Sequence, residues 1–156
     1  MNAQVPLAAT ICRQFEGLRL KAYLCPAGVP TLGYGSTGPD IKLGMTCDKL
    51  WAEQRLLKDL SWFWSEVYKA SPILLTQPPA RGAAVLDWTY NLGAGRYRAS
   101  TLRKRINAGR WEDAASEMRK WVYGGGKKLR GLELRREEEV RYLLLLADMV
   151  QLAEAA

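Results

Sequence analysis

The stretch Glu16-Gly17-Leu18-Arg19-Leu20-Lys21-Ala22-Tyr23-Leu24-Cys25-Pro26-Ala27-Gly28-Val29-Pro30-Thr31-Leu32-Gly33-Tyr34-Gly35 passes from a helix end into a turn-rich β segment, and its reading decides the fold. Upstream, Leu7, Ile11 and Phe15 recur at four-residue intervals, the spacing of one helix face, and Gly17 stands where a helix C-cap is expected. This predicts a short helix from Pro6 that ends at Glu16. Downstream, Pro26, Gly28, Pro30, Gly33, Gly35, Gly38, Pro39 and Gly44 punctuate β-prone pieces such as Ala22-Tyr23-Leu24 and Val29 to Tyr34. Residues 17–45 therefore read as a small β unit. Thr46, Asp48 and Lys49 read as a helix start. From there Leu50, Trp51, Leu56, Leu57, Leu60, Phe63, Trp64 and Val67 keep helical spacing to Ala70 without Gly or Pro. A helix over 46–70 is about 35 Å long at 1.5 Å per residue.

Beyond the breaks at Ser71-Pro72 and Gln77-Pro78-Pro79, helices are predicted over 79–91, 101–108, 111–122 and 132–153. Their separators are Gly93-Ala94-Gly95, Asn107-Ala108-Gly109 and Gly124-Gly125-Gly126, so everything after the long helix reads as helical. The expected architecture is one mostly helical α+β domain over residues 1–156. It has a β-containing lobe at about 17–45, a connecting helix at about 46–70 and a helical lobe at about 71–156 completed by the N-terminal helix. A cleft is expected where the lobes face each other.

A chain of 156 residues with 48% hydrophobic and 25% charged residues can bury its own core, so a folded monomer is expected rather than a disordered chain. No apolar run approaches the roughly 20 residues of a membrane span, and the first twelve residues lack the charged start of a signal peptide. The expectation is a cytosolic start without stable membrane insertion. Three cysteines, Cys12, Cys25 and Cys47, form no C-x-x-C pair, and there is no His. No metal site or cofactor is therefore expected, and catalysis has to run on carboxylates, hydroxyls, thiols or amines. The net charge of +7 divides into +2 for residues 1–87 and +5 for residues 88–156. Between Asp87 and Glu112 lie Arg96, Arg98, Arg103, Lys104, Arg105 and Arg110 with no acid among them, which implies a polyanionic partner.

Glu16, Cys25 and Thr31 are the chemistry-bearing residues of the opening stretch. Their spacing resembles the phage-type lysozymes, the endolysins related to the T4 enzyme, whose motif is Glu, eight residues, Asp or Cys, five residues, Thr. The resemblance extends through Phe15-Glu16-Gly17, Thr31-Leu32-Gly33-Tyr34-Gly35, Asp87-Trp88-Thr89-Tyr90-Asn91-Leu92-Gly93-Ala94-Gly95, Ser100-Thr101-Leu102, Trp121 and Gly131-Leu132-Glu133-Leu134-Arg135-Arg136. It implies a two-lobed lysozyme-like fold and cleavage of the β-1,4 bond between N-acetylmuramic acid and N-acetylglucosamine in peptidoglycan. By the same resemblance Glu16, Cys25 and Thr31 are the catalytic set, and Tyr34, Asn91 and Gly93 line the cleft with Trp121 behind it. Arg135 or Arg136 pairs with the catalytic Glu; Arg135 is preferred. Ser36 departs from the family, where His commonly follows Gly-Tyr-Gly.

The chemistry agrees with these roles. Glycosidic cleavage needs a protonated acid at the leaving oxygen and a group on the opposite sugar face. A carboxyl withdrawn from water at a cleft wall, as expected for Glu16, suits the first role. Thr31 can hold a water. Cys25 has three readings: a thiolate acting as anion or nucleophile, a space filler beside Glu16, or a redox switch joined to Cys12 or Cys47. The alternative function, a basic nucleic-acid-binding helical protein, uses the 96–110 run with Tyr97 and Trp111 but leaves the Glu16–Gly35 stretch unexplained. The expected biology is an endolysin of a phage or prophage that accumulates in the host cytoplasm, reaches the wall through a holin and binds no nucleic acid. An upstream export or anchor segment would change the route and not the chemistry.

Overall fold

The computed structural model describes residues 2–146. The chain begins with α1 (Gln4–Glu16), which Gly17 closes at φ +69°, a conformation that an L side chain rarely adopts. Strands β1 (Arg19–Leu24) and β2 (Pro30–Gly33) form an antiparallel hairpin with Tyr23 opposite Thr31 and Leu24 opposite Pro30. The segment after the hairpin returns along the other edge of β1. There Ala22 N donates to Met45 O at 2.9 Å and Cys47 N to Leu20 O at 2.9 Å. Ala22, Leu32 and Ile41 form the buried apolar cluster of this unit, packed against Met45, Cys47 and Trp51. The β core is that small because each short strand can bury only one face.

Helix α2 (Lys49–Ala70) starts later than the sequence pattern indicates: Asp48, not Thr46, is its cap, and the Asp48 carboxylate accepts from Trp51 N at 2.7 Å. It buries Ala52, Leu56, Leu60, Trp64 and Val67 along one stripe. A 3-10 turn (Pro72–Thr76) leads to α3 (Pro79–Leu92), in which every residue from Gly82 to Thr89 is buried. A helix apolar all round belongs at the centre, and α3 packs against α1, α2 and α7. Around it stand α4 (Ala94–Ala99), α5 (Thr101–Asn107), α6 (Trp111–Arg119) and α7 (Arg130–Leu143).

Three expectations of the helical half need correction. Gly93-Ala94-Gly95 does not separate helices by a loop: Gly93 alone, at φ +100°, makes the corner, and α4 starts at Ala94. The chain between α6 and α7 is not helical throughout, since β3 (Tyr123–Gly124) and β4 (Lys127–Lys128) pair across Gly125 and Gly126. Both glycines have positive φ, as a two-residue hairpin turn demands. The last helix stops at Leu143 instead of running to 153. Leu145 takes φ +58°, Leu146 N reaches Arg141 O and Leu145 N reaches Tyr142 O, a Schellman closure built on a leucine where the usual glycine signal is missing. Residues 147–153 of the predicted helix lie outside the described residues.

Candidate active site

Glu16 leaves the last turn of α1 with its side chain 21% exposed, and one oxygen takes Arg135 Nη1 at 2.6 Å. Arg135, from α7, is itself 3% exposed, so it is neither a surface charge nor a direct sugar contact. Its other face makes a two-pronged pair with Asp87 of α3, Nε to Oδ2 and Nη2 to Oδ1, both at 2.8 Å. Asp87 is fully buried and takes a further hydrogen bond from Cys12 Sγ at 3.0 Å. Burial pushes Asp87 upward, but the charge and hydrogen bonds of Arg135 outweigh it and hold the carboxyl below its ordinary range. Burial and the Asp87 charge push the Cys12 thiol well up, so it is a neutral donor.

Arg136 turns the other way. Its Nη2 donates to Asn91 Oδ1 and to Glu139 Oε1, each at 2.8 Å, and its Nη1 reaches the Trp121 carbonyl at 3.4 Å. Of the two candidate arginines, Arg135 is the partner of Glu16. Asn91 spends its carbonyl on Arg136, and the Trp121 ring stands edge-on to Trp88 at 5.3 Å. Gly93 shapes the corner from α3 to α4.

The other oxygen of Glu16, Oε2, lies against the backbone of Gly35. A Cβ there would sit 2.8 Å from it, and Gly35 has φ +79°. Gly35 also lines a cavity of about 450 Å³ with Thr37 and Asp40 of the following loop, Trp62 and Phe63 of α2, and Tyr90 of α3. Tyr34 does not face this cavity. It is 6% exposed, its hydroxyl donates to Glu53 at 2.9 Å, and its carbonyl accepts from Tyr90. Tyr34 holds the loop in place, with Arg13 of α1 bound to the same Glu53.

Cys25 and Thr31 sit across the hairpin turn. Cys25 is partly exposed; its N donates to Val29 O at 3.0 Å and its carbonyl accepts from Gly28 at 2.8 Å. The backbone N–H groups of Val29 and then Ala27, with the Thr31 hydroxyl, pull the Cys25 thiol below its ordinary value. Thr31 is 3% exposed and its hydroxyl lies 2.9 Å from Val29 O. Burial, and then the charge of Glu16, hold the Tyr23 hydroxyl above its ordinary value.

Sequence reasoning missed Asp87, Cys12 and Glu139 as parts of the site. A signal was present in Ala83-Ala84-Val85-Leu86-Asp87-Trp88, where an acid interrupts an otherwise apolar run. Among the described residues no three acidic, thiol or imidazole side chains gather where a metal ion could sit.

Residues 13–139 match the phage lysozyme family. The chain is 38% identical over 125 residues to a SAR-endolysin of Bacteriophage PS119, covering 80% of this chain and 73% of that protein. It is 37% identical over 143 residues to an endolysin of Bacillus phage B103, covering 88% of this chain and 52% of that one. Among solved structures, the endolysin from Escherichia coli O157:H7 phage FAHEc1 superposes with a TM-score of 0.74 at 36% identity, covering 88% of this chain and 90% of that one. The muramidase domain of SpmX from Asticaccaulis excentricus reaches 0.77 at 27% identity, covering 92% and 96%. The chain belongs to the phage lysozyme family and is a glycoside hydrolase of the lysozyme class. Its α+β, mostly helical fold is the lysozyme fold of these endolysins, and the nucleic-acid-binding alternative finds no support.

Proposed function

We propose that this lysozyme is an endolysin that cleaves the β-1,4 bond between N-acetylmuramic acid and N-acetylglucosamine in peptidoglycan, with Glu16 as the general acid. The observation that carries the role is the asymmetric hold on Glu16. Arg135 fixes one oxygen from the buried side, and the other lies against Gly35 at the wall of the cavity. The proton passed to the leaving sugar oxygen is carried on that second oxygen. Cys25 acts as a thiolate on the opposite sugar face, and backbone donors at a turn stabilise that anion as they would a carboxylate. Thr31, hydrogen-bonded to the same turn, orients Cys25 or the attacking water. Arg135 acts through Glu16, and Asn91 through Arg136. Gly93 shapes the corner beside them, and Trp62, 57% exposed at the cavity edge, offers a flat face to a sugar ring.

The basic run 96–110 complements an anionic wall. Arg98 pairs with Glu66 of α2, and Lys104 and Arg105 project from α5. No helix among the described residues is long and apolar enough to cross a membrane. Accumulation as a monomer in the host cytoplasm and passage to the wall through a holin complete this reading. Lysis timing in cells expressing the chain with and without a holin tests the route. Digestion of purified peptidoglycan tests the chemistry: disaccharide-peptides with reducing N-acetylmuramic acid ends are expected, and free stem peptides released from intact glycan would overturn the assignment.

A further inference from the structure

Behind Glu16 the described residues enclose two carboxyls and two guanidiniums. Asp87 and Glu139 are fully buried, Arg135 and Arg136 are at most 3% exposed, and Glu16 closes the cluster at its mouth. In such a region a carboxylate oxygen that lacks a donor is costly and is relieved by taking up a proton. Geometry decides where that proton resides. Asp87 accepts three hydrogen bonds, two from Arg135 and one from Cys12, which suit its ionised form. Glu139 differs: Oε1 takes Arg136 Nη2 at 2.8 Å, while Oε2 is buried and meets no N–H or hydroxyl donor. An ionised oxygen there is orphaned, whereas a protonated one donates to the neighbouring Asp87 carboxylate.

We propose that Asp87 and Glu139 form a proton-sharing pair, with the proton resident on Glu139, and that this pair is a positioning device that holds Arg135 and thereby Glu16 for the reaction. Arg135 Nε lies 2.8 Å from Asp87 Oδ2 and 3.9 Å from Glu139 Oε1, so the two carboxyls face one guanidinium, and burial holds the Glu139 carboxyl well above the ordinary carboxylate range. The charged and titratable groups facing the pair are Cys12 and Glu16 from α1 and Arg135, Arg136 and Tyr142 from α7, with Tyr90 of α3 beside Glu16. In consequence Arg135 is shared between one full anion, Asp87, and Glu16. Were Glu139 ionised as well, Arg135 would be drawn inward and its hold on Glu16 weakened.

The positioning role rests on Glu16 being the acid; the location of the proton does not, so the two are measured separately. Carboxyl carbon-13 NMR of the wild-type protein labelled at Glu, recorded across pH, is expected to show a glutamic acid signal still protonated at neutral pH that is missing from Glu139→Gln. All glutamates titrating in the ordinary range would overturn the proposal, and this reading needs no variant to fold. Glu139→Gln replaces the O–H donor by an N–H donor without changing charge, so the limbs of the kcat pH profile on peptidoglycan are expected to keep their wild-type positions. The variant is also expected to be more stable than wild type at neutral pH. A buried carboxyl protonated in the folded state loses stability as pH rises above the unfolded value of about 4.3, and the amide does not. Asp87→Asn removes the shared anion and leaves Arg135 to Glu16 alone, which favours ionised Glu16. The alkaline limb of the kcat profile is then expected to move to lower pH with KM little changed. A Glu139→Gln limb that moves as far as the Asp87→Asn limb would mean that Glu139 is ionised in the wild type and would overturn the assignment.

Discussion

The two walls of the site are built on opposite principles. On the α1 side, Glu16 is tied to α3 and α7 through Arg135 and Asp87, side chains with almost no access to water, beside a core that holds Trp64, Trp88 and Tyr97. On the β side, Cys25 sits on an exposed turn of a hairpin whose own core is Ala22, Leu32 and Ile41. The acid's wall is rigid because a buried ion pair loses heavily if any partner leaves. The thiol's wall is held mainly by backbone hydrogen bonds of one turn. In the proposed mechanism the acid is thereby aimed by distant parts of the chain, and the opposite group is aimed locally.

Glu16→Gln strikes the comparison hardest. It keeps shape and hydrogen bonding but cannot give up a proton, so lysis rates are expected to fall about 10²–10⁴-fold with the circular dichroism spectrum unchanged. Activity near wild type in a folded variant removes Glu16 as the acid.

Arg135→Ala tests how firmly the acid's wall is held. It leaves Asp87 buried without its counter-charge, and urea denaturation is expected to show a loss of about 3–5 kcal/mol. A loss below about 1 kcal/mol, the worth of an exposed pair, would mean that water reaches the network and the two walls are alike.

At the meeting point of the walls, Gly35→Ala forces a side chain into φ +79° and places its Cβ 2.8 Å from Glu16 Oε2. The backbone cost is about 1–2 kcal/mol. Displacement of the acid is expected to lower kcat by up to about 10²-fold, readable in steady-state assays. If Gly35→Ala and wild type share the same kcat, Oε2 is not the oxygen that carries the proton.

The β wall predicts the smallest change in stability and a chemical signature instead. Cys25→Ser is expected to alter stability by no more than about 0.5 kcal/mol while losing about tenfold or more in activity, and Cys25→Asp is expected to keep it. Alkylation of Cys25 by iodoacetamide, followed by mass spectrometry, should reach half its maximal rate below the ordinary thiol value of about 8.5. Cys25→Ser clearing walls at the wild-type rate would demote Cys25 to packing.

Period and punctuation were enough to read α1, the β hairpin and the body of α2, because those elements are set by interactions between residues near in sequence. Glu16, Cys25 and Thr31, the proposed catalytic set, could be singled out for the same reason: all three stand within one short stretch that folds locally. Where a local signal was missing the reading failed. Leu145 ends α7 in a conformation usually taken by Gly, and Gly125-Gly126 turn a hairpin too short to show alternation. The choice between Arg135 and Arg136 was beyond the sequence altogether. The two are adjacent on one helix and chemically identical, and only the packing of α7 on α3 sends one guanidinium to Asp87 and Glu16 and the other to Asn91 and Glu139. The same packing closes water out and leaves three carboxyls facing two arginines. Sequence determined which groups are present and which local turns carry them; tertiary structure decided which charges meet without water, because burial depends on neighbours far along the chain.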